Sequence, residues 1–307
     1  MRKTFVDTLT KLARQDNKIM LVIGDTGFSV FESFEREFGE RFVNVGIAEQ
    51  NFISFSAGLA AMGYKPFAYN VVSFMTMRSM EQIFLDVCYQ ENPVVMVGVG
   101  GGFAYGPAGP THHSLSDVAM MCAIPNLQVI CPCDPAEMEE AVICASQTKV
   151  PMYIRIGRSI DPVVHKRKID FKIGKAVEIR SGKDIAIFAA GTMVKDALSV
   201  CDLLEAEGIS ASLYSMHTIK PLDYDTISEC ADKYNALFTI EEHSVVGGLG
   251  SKAAAYLKES MNSSVKFKAF AVRDEFAPVT GNREYLLKLN GLDPQSITDS
   301  IKEVVNC

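Results

Sequence analysis

Short apolar runs alternate with helix-patterned segments along nearly the whole chain, and this alternation leaves few folds open. Ile19–Ile23, Lys65–Tyr69, Pro93–Val99, Gln128–Cys131 and Met152–Ile156 are such runs. Between them, 4–15, Glu49–Met62, Met75–Tyr89, Val118–Ala123 and Pro135–Gln147 carry apolar residues at helical spacing, and Arg41–Val45 adds a further strand. Uninterrupted apolar strands joined by crossover helices pack as a parallel α/β sheet covered on both faces.

The rhythm breaks over 159–182, where Asp161-Pro162, the basic run His165–Lys168 and a polar stretch ending at Ser181-Gly182 read as a linker. A second α/β set follows: strand Ile185–Ala189, helix Val194–Gly208, strand Ala211–Tyr214, helix Tyr224–Tyr234 and strand Ala236–Ile240. The turn Gly247–Gly250, helix Ser251–Met261, strand Lys266–Val272 and a closing helix from Pro294 complete it. The expected organisation is two parallel-sheet α/β domains, 1–160 and 183–307, joined by a linker over 161–182. A chain of 307 residues suits that count at about 150 residues per domain.

Charge narrows the partners. The net charge is -7 and the 30 Lys and Arg are scattered, so there is neither the basic footprint of a nucleic-acid binder nor a polybasic membrane patch. No apolar run reaches about 18 residues, and the first residues lead straight into an amphipathic helix, so the expected location is cytoplasmic. The 8 cysteines lack the paired C-x-x-C spacing of a structural zinc site and read as reduced thiols. Cys131 and Cys133, flanking Pro132, read as packing at a strand end rather than redox or metal chemistry.

Parallel sheets bind ligands at the carboxyl ends of their strands, so the loops there come first. Gly100–Gly102 lacks the G-x-G-x-x-G spacing, and Gly247–Gly250 lacks both a Walker lysine and a Rossmann acidic partner. Each reads as a tight strand-to-helix turn; the alternative is that exposed amides there meet a ligand. Asn44–Asn51 says more: a strand end delivers one carboxylate, Glu49, to the start of a helix rich in Ala, Gly and Ser. Alone, such a Glu only answers the helix dipole.

Other motifs change its meaning. Gly46-Ile47-Ala48-Glu49, Tyr64-Lys65-Pro66-Phe67, Phe74 with Arg78 and Gln82, and Gly109-Pro110-Thr111-His112 follow in order. Leu127-Gln128-Val129 before Pro132 and Lys220-Pro221-Leu222-Asp223 complete the series. In these motifs the sequence resembles the C-terminal half of the transketolase family, over essentially the whole chain. The resemblance implies a pyrimidine-binding domain for thiamine diphosphate followed by the family's smaller C-terminal domain.

By the same resemblance, Glu49 hydrogen-bonds the aminopyrimidine ring and favours the tautomer that activates the thiazolium carbon. Phe74 stacks on the pyrimidine, and Arg78 and Gln82 belong to the cofactor side. His112 stands beside the reacting carbon; His113 competes for that place, and the Pro-Thr-His register favours His112. Arg2, Ser29 and Arg158 match positions that hold the substrate's anionic end, and Asp25 joins Ser29 in this clamp. His217 and His243 are left as structural or interface residues.

The chain also departs from the family. Ala108 and Gly100 stand where an acidic residue and a histidine contact sugar, and Val71 and Met77 replace aromatics around Phe74. These departures point to an unusual donor or acceptor. Gly24-Asp25-Thr26 has no matching pair of asparagines for Mg²⁺ and diphosphate. The resemblance therefore implies a split transketolase: this chain is the C-terminal subunit, an N-terminal subunit supplies the diphosphate and Mg²⁺ site, and the assembly is α₂β₂. The implied reaction is ketol transfer from a ketose to an aldose. The alternatives are a 2-oxo acid dehydrogenase β-like or deoxyxylulose phosphate synthase-like subunit, and a non-catalytic scaffold.

Overall fold

The computed structural model describes residues 1–27, 29–158 and 162–306. The boundary expected at 160–161 and Cys307 lie outside them. Twelve strands are present among the described residues: β1 Ile19–Ile23, β2 Phe42–Asn44, β3 Lys65–Val71, β4 Val95–Val99, β5 Gln128–Ile130 and β6 Met152–Ile156, then β7 Val177–Arg180, β8 Ile185–Ala189, β9 Ala211–Ser215, β10 Thr218–Lys220, β11 Ala236–Ser244 and β12 Lys266–Val272. They form a seven-stranded sheet ordered β10-β5-β6-β4-β3-β1-β2 and a five-stranded sheet ordered β12-β11-β8-β9-β7.

Four runs become strands buried at every position: β1, β4 and β8, which are fully apolar, and β6, which is apolar but for Arg155. Pairing is parallel throughout except at two edges, where β10 runs against β5 and β7 against β9. The sheets are therefore mixed rather than wholly parallel. Both antiparallel strands correct the sequence reading. β7 lies within the stretch expected as linker, and it forms the edge of the second sheet. β10 follows β9 of the second sheet yet crosses back to complete the first. Lys220 on β10 donates its ammonium to the carbonyls of Cys122 and Ile124, the C-terminal end of the helix Asp117–Ala123.

Two helical expectations also change. The segment expected as one helix over Met75–Tyr89 is a helix Val72–Arg78, a single turn Met80–Gln82 and a π-helical stretch Ile83–Tyr89. Ser79, outside helical geometry at φ -111°, ψ 23°, separates the first two. A helix Arg283–Leu289, absent from the periodicity, starts at Asn282, whose side chain accepts the Tyr285 amide.

A buried ionic network joins the sheets. The Asp117 carboxylate accepts from Arg155 Nε at 2.8 Å, Tyr153 Oη at 2.7 Å and Ser114 Oγ at 3.1 Å. Arg155, on β6, also donates Nη2 to the carbonyls of Ser114 and Glu242, each at 2.9 Å. Glu242, on β11, takes the Phe103 amide at 2.7 Å on one oxygen and Arg283 Nε at 2.8 Å on the other. Every charge is met by several partners, which is the condition for an ion pair to survive removal from water.

The Gly247–Gly250 turn is closed from within. Glu241 accepts the amides of Leu249 at 2.8 Å and Gly250 at 2.7 Å, so those donors are taken within the fold, as in the tight-turn reading rather than the ligand alternative. Burial pushes the Glu241 carboxyl up to about 7.

Removing one partner from the buried pair, as in Asp117→Ala, should cost about 3–5 kcal/mol in urea unfolding; a loss under about 1 kcal/mol would count against the network's role. A carboxyl raised by folding holds a proton that the unfolded chain has released. The contribution of Glu241 is therefore full below its ordinary range and lost as pH rises through about 7. Urea midpoints should carry that downward slope in the wild type and lose it in Glu241→Gln; an identical slope in both would contradict the assignment.

Candidate active site

The carboxyl ends of adjacent strands of the first sheet converge on one face, as expected for parallel sheets. The turn after β2 leads into the helix Glu49–Ala61 and sets Glu49 in its first position. The helix Val72–Arg78 after β3 carries Phe74 and Arg78. The loop after β4 carries Tyr105 and His112, and Arg158 follows β6. Sequence-distant residues thus meet because the ends of β2, β3, β4 and β6 lie along one side of the same sheet, with β1 between β2 and β3.

The side chains form a continuous series. Glu49, 7% exposed, receives Arg78 Nη1 at 2.8 Å on Oε1. The same guanidinium lies 4.3 Å from the centre of the Phe74 ring. Phe74 meets His112 edge-on at 5.0 Å, and His112 lies 5.9 Å from Tyr105. Arg158 covers Tyr105 at 4.5 Å. The structure therefore brings together Glu49, Phe74, Arg78, His112 and Arg158 of the expected set.

The two adjacent histidines separate clearly. His113 is buried, with Nε2 on the Gly106 carbonyl at 3.0 Å and its ring edge-on to Phe103 at 5.1 Å. His112 is half-buried among the site aromatics, with Nδ1 at 2.9 Å from the Thr111 hydroxyl.

Tyr105 and Asn70 escaped sequence reasoning. Gly100 has φ +93°, and a Cβ there would meet the Tyr105 ring at 2.0 Å. Tyr105 thus fills the space a histidine at 100 would need, and the glycine at a strand end was the available signal. Asn70, 1% exposed near the end of β3, has no hydrogen-bond partner for Nδ2. That donor would lie 2.4 Å from a Cβ on Gly24, so Gly24 is what leaves it room.

The remaining expected residues lie outside this series of contacts. Arg2 reaches the buried Tyr69 hydroxyl. Exposed Ser29 has φ 60° and gives its amide to Glu32 Oε1 at 2.6 Å. Asp25 pairs with Asn44, through Asp25 N to Oδ1 at 3.1 Å and Asn44 Nδ2 to Asp25 Oδ1 at 3.0 Å, rather than joining Ser29. Gln82 Oε1 is buried and without a hydrogen-bond partner.

Two hollows border this series. An open one of about 430 Å³ is lined by Ala48, Glu49, Gln50, Asn51 and Arg78. A second, about 590 Å³, lies between the sheets and includes Gly101, Arg158, Lys195 and Arg283. The first suits one edge of a flat nitrogen heterocycle: a sheltered carboxylate for a ring nitrogen and an aromatic ring nearby. The residues fit the pyrimidine half of thiamine diphosphate. For Mg²⁺ the fit is poor in this chain: the Asp25 carboxylate is engaged by Asn44, and no group of three His, Cys, Asp or Glu side chains close enough to share an ion includes it among the described residues.

Comparison with known proteins matches the same two units. The family model "Transketolase, pyrimidine binding domain" covers residues 1–162, and "Transketolase, C-terminal domain" covers 174–297. One of the subunits of the apulose-4-phosphate transketolase of Phocaeicola vulgatus is 38% identical over 306 residues, covering 99% of this chain and 97% of that protein. The 6-deoxy-6-sulfo-D-fructose transketolase subunit SqwH of Clostridium sp. is 36% identical over 305 residues, covering 99% and 94%. A solved structure described as a split gene transketolase, inactive beta4 tetramer, superposes with TM-score 0.91 at 34% identity, covering 99% and 98%.

Gly100→Ala should expel the Tyr105 ring and disturb His112 while leaving His113 locked on Gly106. In proton NMR the His112 ring signals should move and those of His113 stay; unmoved His112 signals would separate Tyr105 from the site.

Proposed function

The chain belongs to the transketolase family, and from that membership and the site's geometry we propose that it is the C-terminal subunit of a split enzyme for ketol transfer. The observation that carries the reading is the single series Glu49, Arg78, Phe74 and His112 beside an open hollow. A scaffold that had lost its chemistry would have no need to keep this series.

When bound, thiamine diphosphate supplies the carbon nucleophile for breaking and making carbon–carbon bonds. Glu49 holds the pyrimidine ring nitrogen through its carboxylate and so selects the ring's tautomer. Phe74 sets the plane of the heterocycle. Arg78, 52% exposed, neutralises Glu49 until the ring arrives and then shares or yields it. His112, through Nε2, gives and takes the proton on the substrate oxygen, a task suited to imidazole near neutral pH.

Arg158 and Arg2 hold the far end of the substrate. Guanidinium groups suit phosphate or sulfonate oxygens, and the two relatives above are named for a phosphate and a sulfo sugar. Gly100 and Ala108 remove two usual sugar contacts, so we assign the substrate to the anionic ketoses outside the common pattern. Ketol transfer is favoured over decarboxylation by the names of these relatives.

The partner is an N-terminal subunit that brings the diphosphate and Mg²⁺ ligands. Ile47, 76% exposed, and Met77 adjoin Glu49 and Arg78 in sequence, and exposed Phe84, Leu85 and Tyr89 lie on the π-helical stretch packed beside the helix Glu49–Ala61. Exposed apolar side chains gathered at an incomplete site mark a protein interface. The assembly we propose is α₂β₂ in the cytoplasm, and no helix among the described residues is long and apolar enough to cross a membrane.

A tagged pull-down from the native cell should co-elute one partner, and the complex should cleave xylulose 5-phosphate or an anionic analogue only with thiamine diphosphate and Mg²⁺. Glu49→Ala should leave assembly intact and lower turnover by about 10²-fold or more. Unchanged turnover in that variant would remove the catalytic assignment.

A further inference from the structure

We propose that Cys133, Glu137 and His165 form a Zn²⁺ site that ties the connection between the domains to the first sheet. The three come from separate places: the turn after β5, the first turn of the helix Pro135–Gln147, and the segment preceding β7. His165 Nε2 lies 3.0 Å from Glu137 Oε1 and 3.8 Å from Cys133 Sγ, and the three ligand atoms all lie within 4.8 Å of one another. Donors on a tetrahedral zinc ion, bound at about 2.0–2.3 Å, stand about 3.3–3.6 Å apart, so little movement is needed. No other such group of His, Cys, Asp and Glu occurs among the described residues.

The surroundings hold these donors in place. Cys133 and Glu137 are fully buried, and the His165 side chain is 7% exposed. Asp134 accepts the amides of Val164 at 3.0 Å and His165 at 2.8 Å, which fixes the backbone that presents the imidazole. Glu137 Oε2 accepts the Cys133 amide at 2.7 Å, leaving Oε1 toward His165. Such outer contacts are what orient metal ligands.

A candidate fourth donor lies outside the group of three. His217, fully buried, stacks on Phe171 at 4.0 Å and has Nδ1 at 2.9 Å from the Thr218 hydroxyl. Its Nε2 has no hydrogen-bond partner, and the charges of Glu137 and His165 both act on the ring. His217 precedes the crossing strand β10 and Thr218 begins it, so the site would bind both chain crossings between the domains.

Thiolate and imidazole donors select zinc over magnesium or calcium, which separates this site from any Mg²⁺ chemistry at the cofactor. Binding replaces the Glu137–His165 hydrogen bond with two bonds to the metal. The Cys133 thiol proton, and that of His165 where it is charged, pass to solvent.

The full chain, stripped with chelator, should take up one equivalent of Zn²⁺ on dialysis, and Co²⁺ should give a near-ultraviolet thiolate charge-transfer band. Cys133→Ser should abolish the band and Cys131→Ser should keep it. His165→Gln, on the connection between the domains, should weaken Zn²⁺ binding by about tenfold or more with unchanged circular dichroism. No uptake by the folded wild type, a band that persists in Cys133→Ser, or one lost in a folded Cys131→Ser would overturn the proposal.

Discussion

The buried guanidinium of Arg155 is the constraint from which the active site hangs. The loop that carries Tyr105 and His112 is shaped from within by the 3-10 turn Gly106–Ala108, the bridge between Gly102 and Ser114 and turn hydrogen bonds such as His112 N to Gly109 O. Its anchorage to the two sheets comes from outside. Arg155 grips the Ser114 carbonyl and the Asp117 carboxylate from β6, and Glu242 grips the Phe103 amide from β11. The second domain thereby helps to hold a loop of the first. A charge network rather than an apolar seam suits this task, because hydrogen bonds specify the loop's position as well as its attachment.

Much of this was legible in the sequence. Apolar runs such as Val95–Val99 announce strands buried on both faces, and Glu49 at a strand end followed by small residues announces a helix start. β10 was not legible, because a three-residue strand carries no period and its partner β5 lies far back in the chain. Val177–Arg180 was masked by polar neighbours typical of an edge strand. At the site, the Pro-Thr-His register favours His112 over His113 through the resemblance alone; the physical difference, His112 against Phe74 and His113 on the Gly106 carbonyl, appears only in the fold. Cys133, Glu137 and His165 share no spacing motif, since folding alone brings His165 back to the end of β5.

The site is unevenly finished. Its protein side is fixed by packing, with Phe74, Tyr105 and His112 in mutual contact. The opposite side is open, and Arg78 lies half-exposed across Glu49 and Phe74. A carboxylate sheltered from water but paired to a half-exposed cation can exchange that cation for a heterocycle at small electrostatic cost. The open side beside Glu49 is where the proposed partner subunit closes the site.

Calorimetric titration of thiamine diphosphate with Mg²⁺, into the chain alone and into the complex with its co-purified partner, tests that statement directly. The expected result is tight binding to the complex, lost in its Glu49→Ala form, and binding to the chain alone weaker by about 10²-fold or more, as for a ligand that loses its charged contacts. Equal affinity for the chain alone would show that the site is complete without a partner and would contradict the split assembly.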